Sequence, residues 1–317
     1  MSVVFNILNV ALTPLSMIIL SIIIIIIIIM LPFLYFKLLI YVKKLVYTEN
    51  MTMKVVLITG AATGIGEQLA YEYAKRGARL SLVDIRKENL GAVADMARSL
   101  GSPDVIIIGA DVTKLEDSKR FVDETMNHFG QLDHLVNNAG VIGVPTLVED
   151  FPNFTKYTSI METNFWGAAY GTLYAIPHLK NSKGRIIVVA SACGWFPIPR
   201  LSIYNASKAA IISFFETLRI ELGWSIGITI ATPGFINTNL AWRVIEDEAT
   251  MGRLPLGSAF ECAKDIVKSA CRGDMYVTNP SWVKVLFPCK VLFPELVDWG
   301  QRHIFELLPN PYKKKSN

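Results

Sequence analysis

Apolar and polar positions follow two different patterns along this chain. Up to Phe36 there is no period at all: residues 1–36 carry no charged side chain, and Ile22–Ile29 is an unbroken run of isoleucine. A helix on the surface of a soluble domain shows a polar stripe, and this stretch has none. Leu15–Phe36 is nearly all apolar, and its 22 residues would as a helix reach across the roughly 30 Å core of a bilayer at about 1.5 Å per residue. In water such a β-branched run is an aggregation hazard. In lipid its backbone must be satisfied within a helix. A cleaved secretory signal fits less well, because the start is not basic, the run is too long and no small-residue cleavage site follows it. Pro14 and Pro32 lie near the two ends, where a helix starts or kinks. A hairpin dipping into a lipid-droplet monolayer therefore competes with a spanning helix.

After a short linker the period changes. Short apolar runs at Val55–Ile58, Leu80–Val83, Val105–Ile108, His134–Val136, Arg185–Val189, Ile226–Ile230 and Met275–Thr278 read as strands. Between them, Gly64–Arg76, Lys87–Leu100, Leu115–Phe129, Thr155–Leu179 and Ser202–Leu222 read as helices, several stopped by glycine. Buried strands alternating with amphipathic helices predict an α/β fold, a doubly wound parallel sheet of about seven strands with helices on both faces. The expected divisions are an anchor at 1–46, a linker at 47–53, the α/β domain at 54–280 and an extension at 281–317. That extension mixes aromatics and prolines with few charges. It is expected to pack on the core or form a homodimer contact, to cap a substrate pocket, or to lie on a membrane.

Composition changes this picture little. Hydrophobic residues make up 52% of the 317, and the excess sits in the anchor. A net charge of +4 is too mild to argue for nucleic acid. Cys193, Cys262, Cys271 and Cys289 show no metal-ligand spacing, so no metal site is expected and the thiols read as free, in a reducing compartment. Lys37, Lys43 and Lys44 follow the apolar run at once, which predicts that the main domain faces the cytosol.

The chemistry begins at Thr59–Gly66, TGAATGIG, after the first strand and at the start of the first helix. Gly60, Gly64 and Gly66 let the backbone turn tightly and approach a pyrophosphate at a helix N-terminus, with Thr63 and Ile65 between them. This is a Rossmann-type cofactor turn. Asp84 ends the second strand, eighteen residues past Gly66. A carboxylate there holds both ribose hydroxyls of NAD and repels the 2′-phosphate of NADP. Threonine at position 63 adds no positive charge, while Arg86 partly offsets the acid, so NAD is favoured. Asp111 and Val112 follow the third strand, where an adenine amine is expected. Asn138, Ala139 and Gly140 follow the fourth, where small residues let the sheet approach the cofactor.

Ser191 is followed thirteen residues later by Tyr204, and Lys208 comes four residues after that. On a helix Tyr204 and Lys208 share a face. An ammonium beside a phenol is expected to lower the phenol's pKa and make Tyr204 an acid/base for an alcohol–ketone interconversion. The spacing alone is weak, because Tyr71 and Lys75 repeat it.

Together these residues resemble the short-chain dehydrogenase/reductases over roughly 53–280. The resemblance rests on TGAATGIG, Asp111-Val112, NNAG, Asn164 in NFWG, Ser191, YNASK and Pro233 to Thr238. It narrows to the plant 11β-hydroxysteroid dehydrogenase-like group, the steroleosins, through GEQLAYEYAKRGA, LDHLVNNAG, NASKAAIISFFETLRIELG, YVTNPSWVKV, PELVDWG and the apolar anchor. Asp84 departs from that group, whose members often carry a neutral residue followed by arginine, and the tail after Trp299 looks short.

The resemblance implies that Tyr204 exchanges a proton with the substrate oxygen and that Ser191 hydrogen-bonds that oxygen. It implies that Lys208 tunes Tyr204 and holds the nicotinamide ribose, and that Asn164 holds a water relaying protons from Lys208. Pro233, Gly234, Ile236 and Thr238 are expected at the cofactor, with Ile236 and Thr238 orienting its carboxamide. Trp195, Phe196, Pro197, Ile198 and Pro199, with Val141, Ile142 and Val144, suit a lipophilic small-molecule substrate, and residues 239–259 are the expected lid. The leading expectation is a membrane-anchored hydroxysteroid dehydrogenase at the endoplasmic reticulum or a lipid droplet. A dehydrogenase of other lipid alcohols and a structural lipid-droplet coat protein with a vestigial enzyme domain are the alternatives.

Overall fold

A computed structural model describes residues 2–46, 48–242 and 256–305. It divides into two compact units after Thr48. The first is helix α1, Ser2–Val46, which runs through Pro14 and Pro32 without a break. The sequence left a hairpin open; the structure gives one continuous helix. Ser16–Leu39 has a mean hydropathy of 3.4 and no residue buried against protein. Ser21 turns its hydroxyl back onto the Met17 carbonyl at 2.8 Å, so even this polar group is satisfied inside the helix.

The second unit is built on seven parallel strands: β1 Val55–Thr59, β2 Arg79–Asp84, β3 Val105–Gly109, β4 His134–Asn137, β5 Arg185–Val189, β6 Gly227–Ala231 and β7 Tyr276–Val277. Their spatial order is β3-β2-β1-β4-β5-β6-β7. The strands are largely apolar because both faces are covered. Val56 and Ile58 pack under α2 (Gly64–Ala74), α3 (Leu90–Ser99) and α8 (Ala259–Arg272), and the alternate Val55 and Leu57 pack under α4 (Leu115–Phe129), α6 (Gly167–Ser182) and α7 (Ser202–Leu222). The chain runs outward from β1 to β3, then returns to place β4 on the other side of β1. That reversal opens a crevice at the carboxyl ends of β1 and β4, where ligands bind in such sheets.

Two elements differ from expectation. The long helix expected over Thr155–Leu179 is divided into a 3-10 turn at Phe154–Tyr157, a short α5 at Thr158–Met161, a π turn at Glu162–Trp166 and then α6. The π turn coincides with Asn164, whose side chain leaves the helix surface to bond the loop after β4. The extension, for which no elements were expected, forms a 3-10 turn at Ser281–Val285, α9 at Leu286–Leu292 and α10 at Pro294–Ile304. Pro288 lies in the first turn of α9 and Pro294 opens α10, positions where a missing N–H costs nothing.

Candidate active site

The glycine turn takes its shape from the strand end it leaves. Gly60 and Gly64 both have φ of +65°, which side chains disfavour. A Cβ on Gly60 would lie 2.7 Å from Ala139 Cα, and one on Gly66 only 2.1 Å from the Gly60 carbonyl oxygen. The turn is tied to β4 as well. Thr59 Oγ1 accepts the N–H groups of Asn138 and Ala139 at 3.1 and 3.2 Å, while Asn138 Nδ2 donates to the carbonyls of Thr59 and Gly60 at 3.0 Å each. Asn138 thus braces the turn with its side chain, a role its sequence position did not reveal.

Asp84 is buried at the end of β2. Its Oδ2 accepts the Ala62 N–H at 3.1 Å and its Oδ1 the Arg86 N–H at 3.0 Å. Arg86 folds back, with Nε 3.3 Å from the same carboxylate and Nη2 3.2 Å from Thr63 Oγ1. Asp111 is held by two groups of Thr113, and its own N–H donates to Asp117. That hydrogen bond, with Arg120, holds the Asp117 carboxyl below its ordinary range.

Ser191 stands just past β5. Its Oγ accepts the Cys193 N–H at 3.2 Å and donates to the Pro233 carbonyl at 3.4 Å. Tyr204 and Lys208, one turn apart on α7, are both buried. Burial pushes the Tyr204 phenol well up, with the neighbouring Ser191 hydroxyl opposing it. Burial also lowers the Lys208 ammonium to about 8. This corrects the expected electrostatics. Lys208 Nζ donates to the Val189 carbonyl at 3.1 Å and lies 5.7 Å from the Tyr204 ring centroid. Desolvation therefore outweighs the attraction of a lysine aimed at the strand.

Asn164 is fully buried. Its Oδ1 accepts the Val141 N–H at 2.8 Å, and its Nδ2 donates to the Val141 carbonyl and to Ser207 Oγ at 2.9 Å each. Both amide hydrogens are thus committed to protein, and only a lone pair on Oδ1 remains. Gly140 lies between: a Cβ there would approach Asn164 Oδ1 to 3.2 Å and Lys208 Nζ to 3.5 Å.

These groups surround one cavity of about 820 Å³. Gly60, Thr63, Gly64, Ile65, Asp84 and Arg86 line it at the turn, and Asp111, Val112, Asn138, Ala139 and Gly140 along the strand ends. Ser191, Tyr204, Lys208, Pro233, Gly234, Ile236 and Thr238 complete it. Gly66 and Asn164 do not line it: Gly66 packs beneath the Gly60 carbonyl, and Asn164 lies behind Val141. Of the expected apolar wall, Phe196, Ile198, Val141 and Ile142 line the cavity, whereas Val144 points to solvent at 64% exposure. Of the expected lid, residues 243–255 lie outside the described residues; Leu240 and Ala241 line the cavity, and Gly257 bridges to Ile236.

Sequence reasoning left the role of the tail open among packing on the core, capping the pocket and lying on a membrane. Trp282, Leu286, Val297, Gln301, Ile304 and Phe305 form a cavity wall, so of its expected roles the structure places the tail over the pocket.

A nicotinamide dinucleotide fits this arrangement. The two left-handed glycines leave the turn without side chains, Asp84 presents a carboxylate at the cavity, and Gly140 leaves Lys208 uncovered. The short chain dehydrogenase profile matches residues 54–249. The chain is 49% identical over 286 residues to 11-beta-hydroxysteroid dehydrogenase 1A of Arabidopsis thaliana, covering 86% of this chain and 82% of that one. It is 47% identical over 315 residues to 11-beta-hydroxysteroid dehydrogenase-like 2 of the same plant, covering 99% of this chain and 100% of that one. Among solved structures, a short chain dehydrogenase/reductase of Burkholderia phymatum in complex with NAD superposes with a TM-score of 0.71 at 24% identity, covering 78% of this chain and 96% of that one. A 3-ketoacyl-(acyl-carrier-protein) reductase of Brucella melitensis complexed with NADH superposes at 0.65 with 28% identity, covering 72% and 97%. By sequence and sheet order, the chain belongs to the short-chain dehydrogenase family, as an NAD(P)-dependent alcohol dehydrogenase similar to the plant 11-beta-hydroxysteroid dehydrogenase-like proteins.

Proposed function

We propose that the protein is a membrane-anchored dehydrogenase that interconverts a hydroxyl and a ketone on a steroid- or sterol-like lipophile. The observation that carries this reading is the buried Tyr204 hydroxyl, which shares with Ser191 a cavity whose further walls are Ile142, Phe196, Ile198, Leu286 and Phe305. A bound nicotinamide dinucleotide supplies or removes the hydride. Tyr204 exchanges the proton with the substrate oxygen; because burial holds that proton tightly, the free enzyme rests in the form that donates it to a ketone. Ser191 hydrogen-bonds the same oxygen and favours its developing charge. Lys208 holds positive charge beside the ribose position. Asn164 fixes Val141, and its remaining lone pair is the place for a water leading to Lys208. Pro233, Gly234, Ile236 and Thr238 hold the carboxamide end of the cofactor. Asp84 selects NAD over NADP.

The segment Ser16–Leu39 supports membrane anchoring by its length and hydropathy. We place the catalytic domain on the cytosolic side of the endoplasmic reticulum or of a lipid droplet, and take 1–46, 47–53, 54–280 and 281–317 as anchor, linker, catalytic domain and extension. Asn153 offers an exposed glycosylation sequon with Thr155, so a glycan on Asn153 would overturn the cytosolic placement. The experiment for the activity assays the protein with NAD⁺ and NADP⁺ against steroid, retinoid-like and long-chain alcohols, beside Tyr204→Phe. Turnover of steroid alcohols by the wild type alone supports the reading. Turnover restricted to other lipid alcohols replaces the substrate class. Equal turnover by Tyr204→Phe removes the mechanism.

A further inference from the structure

The C-terminal helices grip the loop between Ser191 and Tyr204 through two long-range hydrogen bonds. Lys290 on α9 donates from Nζ to the Trp195 carbonyl at 2.7 Å, and Gln301 on α10 donates from Nε2 to the Pro197 carbonyl at 3.0 Å. The residue after each acceptor, Phe196 and then Ile198, lines the cavity. The loop thus alternates, one carbonyl tied to the tail and the next side chain turned to the cavity. On α7, Asn205 donates from Nδ2 to the Ile198 carbonyl at 2.7 Å. The Trp195 ring meets Phe287 edge-on at 5.7 Å. Phe305, near the end of the described tail, is buried in one cluster with Ile142, Ile198, Leu201 and Tyr204.

Pro197 and Pro199 have no N–H, so this loop cannot hold itself with a ladder of its own. The carbonyls of 195 and 197 find their partners in the tail instead. A charged donor makes the stronger of such bonds. Lys290 does not itself line the cavity; it reaches the site only through Trp195.

We propose that Lys290, assisted by Gln301, is a positioning residue for the substrate: it clasps α9 and α10 to the catalytic loop and so fixes the wall formed by Phe196, Ile198 and Phe305. This rests on the dehydrogenase reading for what the cavity holds. Neither clasp residue bonds the glycine turn or Asp84, so the clasp governs substrate KM and leaves cofactor binding alone.

The test uses the full chain in detergent micelles as wild type, Lys290→Met, Lys290→Arg and Gln301→Leu. Cortisol serves as a large lipophilic alcohol and cyclohexanol as a small one, with saturating NAD⁺; amide exchange of residues 194–196 and 198 is followed without substrate. In Lys290→Met the KM for cortisol is expected to rise about tenfold with kcat within about twofold, a loss of uniform binding. The KM for NAD⁺ stays unchanged, Lys290→Arg returns to wild type, and the loop amides exchange faster together with the tail. Gln301→Leu moves loop exchange the same way by less. Loop exchange equal to wild type in Lys290→Met overturns the clasp, as does a parallel fall in kcat and melting temperature with KM unmoved. If the wild type turns over neither probe, loop exchange alone decides. A Tyr204→Phe protein as active as wild type would defeat the catalytic reading and leave the exchange result standing.

Discussion

Two Tyr-x-x-x-Lys pairs occupy helices of this domain, and they have become different things. Tyr71 and Lys75 belong to α2 and its C-terminal cap. Tyr71 donates to Glu67 Oε1 at 3.0 Å, and Lys75 pairs with Glu72 at 2.7 Å while lying 4.7 Å over the Phe260 ring. Each group has a structural partner. Tyr204 and Lys208 have no carboxylate partner among the described residues, and both line the cavity. Burial raises both tyrosines, Tyr71 to about 12 with Glu67 adding to it. Burial lowers the Lys208 ammonium to about 8. Spacing puts a lysine beside a tyrosine; position on the sheet decides whether water, carboxylate or ligand meets them.

The strongest break in the comparison is catalytic. Tyr204→Phe is expected to lower kcat/KM by about a thousandfold, within the usual range for a positioned acid/base, while Tyr71→Phe stays within about twofold of wild type. Steady-state kinetics beside a thermal melt checks both. A large loss in Tyr71→Phe without unfolding would mean the wrong pair has been assigned.

The next difference is in stability against pH. Lys208 falls from an ordinary 10.5 to about 8 in the folded chain. Between those values the unfolded chain binds more protons, so stability rises with pH. The penalty of burying the ammonium is full below pH 8 and gone above 10.5. Its size is about 3 kcal/mol, from 1.36 kcal/mol per pKa unit. Lys208→Met is therefore expected to be more stable than wild type at pH 7 relative to its stability advantage at pH 10, with the gap closing across that window. Urea titrations at several pH values measure it.

The sequence made the sheet legible because most strands are short, largely apolar runs, the pattern that parallel strands covered on both faces need. It made the cofactor turn legible because Gly60 and Gly64 occupy backbone that other residues avoid. It misjudged Tyr204 because a pKa depends on which way Lys208 points, and the Val189 carbonyl is known only once β5 and α7 are packed. It missed α9 and α10 because prolines stop helices in their interiors but start them in first turns. Asn164 was singled out, yet its grip on Val141 spans 23 residues and has no local trace.

Asp84 sharpens the comparison from the cofactor side, since no cofactor carboxylate stands near Tyr71. The Asp84 carboxylate also receives the Ala62 N–H, so an alanine there would loosen the turn as well as remove charge. Asp84→Asn keeps an acceptor and isolates the charge. The ratio of kcat/KM for NAD⁺ over NADP⁺ is expected to fall about tenfold, or about 1.4 kcal/mol. An unmoved ratio would mean that Asp84 holds the turn and does not read the ribose.

The smallest expected effect is at the structural pair itself. Tyr71→Phe removes one hydrogen bond to Glu67, and a bond of this kind contributes about 1 kcal/mol at most where water replaces the partner. Glu67 lies in the first turn of α2, where the helix dipole already favours its charge. The carboxylate is therefore not stranded by losing the phenol. Tyr71→Phe should lower the unfolding free energy by less than about 1 kcal/mol and leave the KM for NAD⁺ where it was. A larger rise in that KM would mean that Tyr71, through Glu67, helps hold the first turn of α2 against the cofactor, and the two pairs would then differ in degree and not in kind.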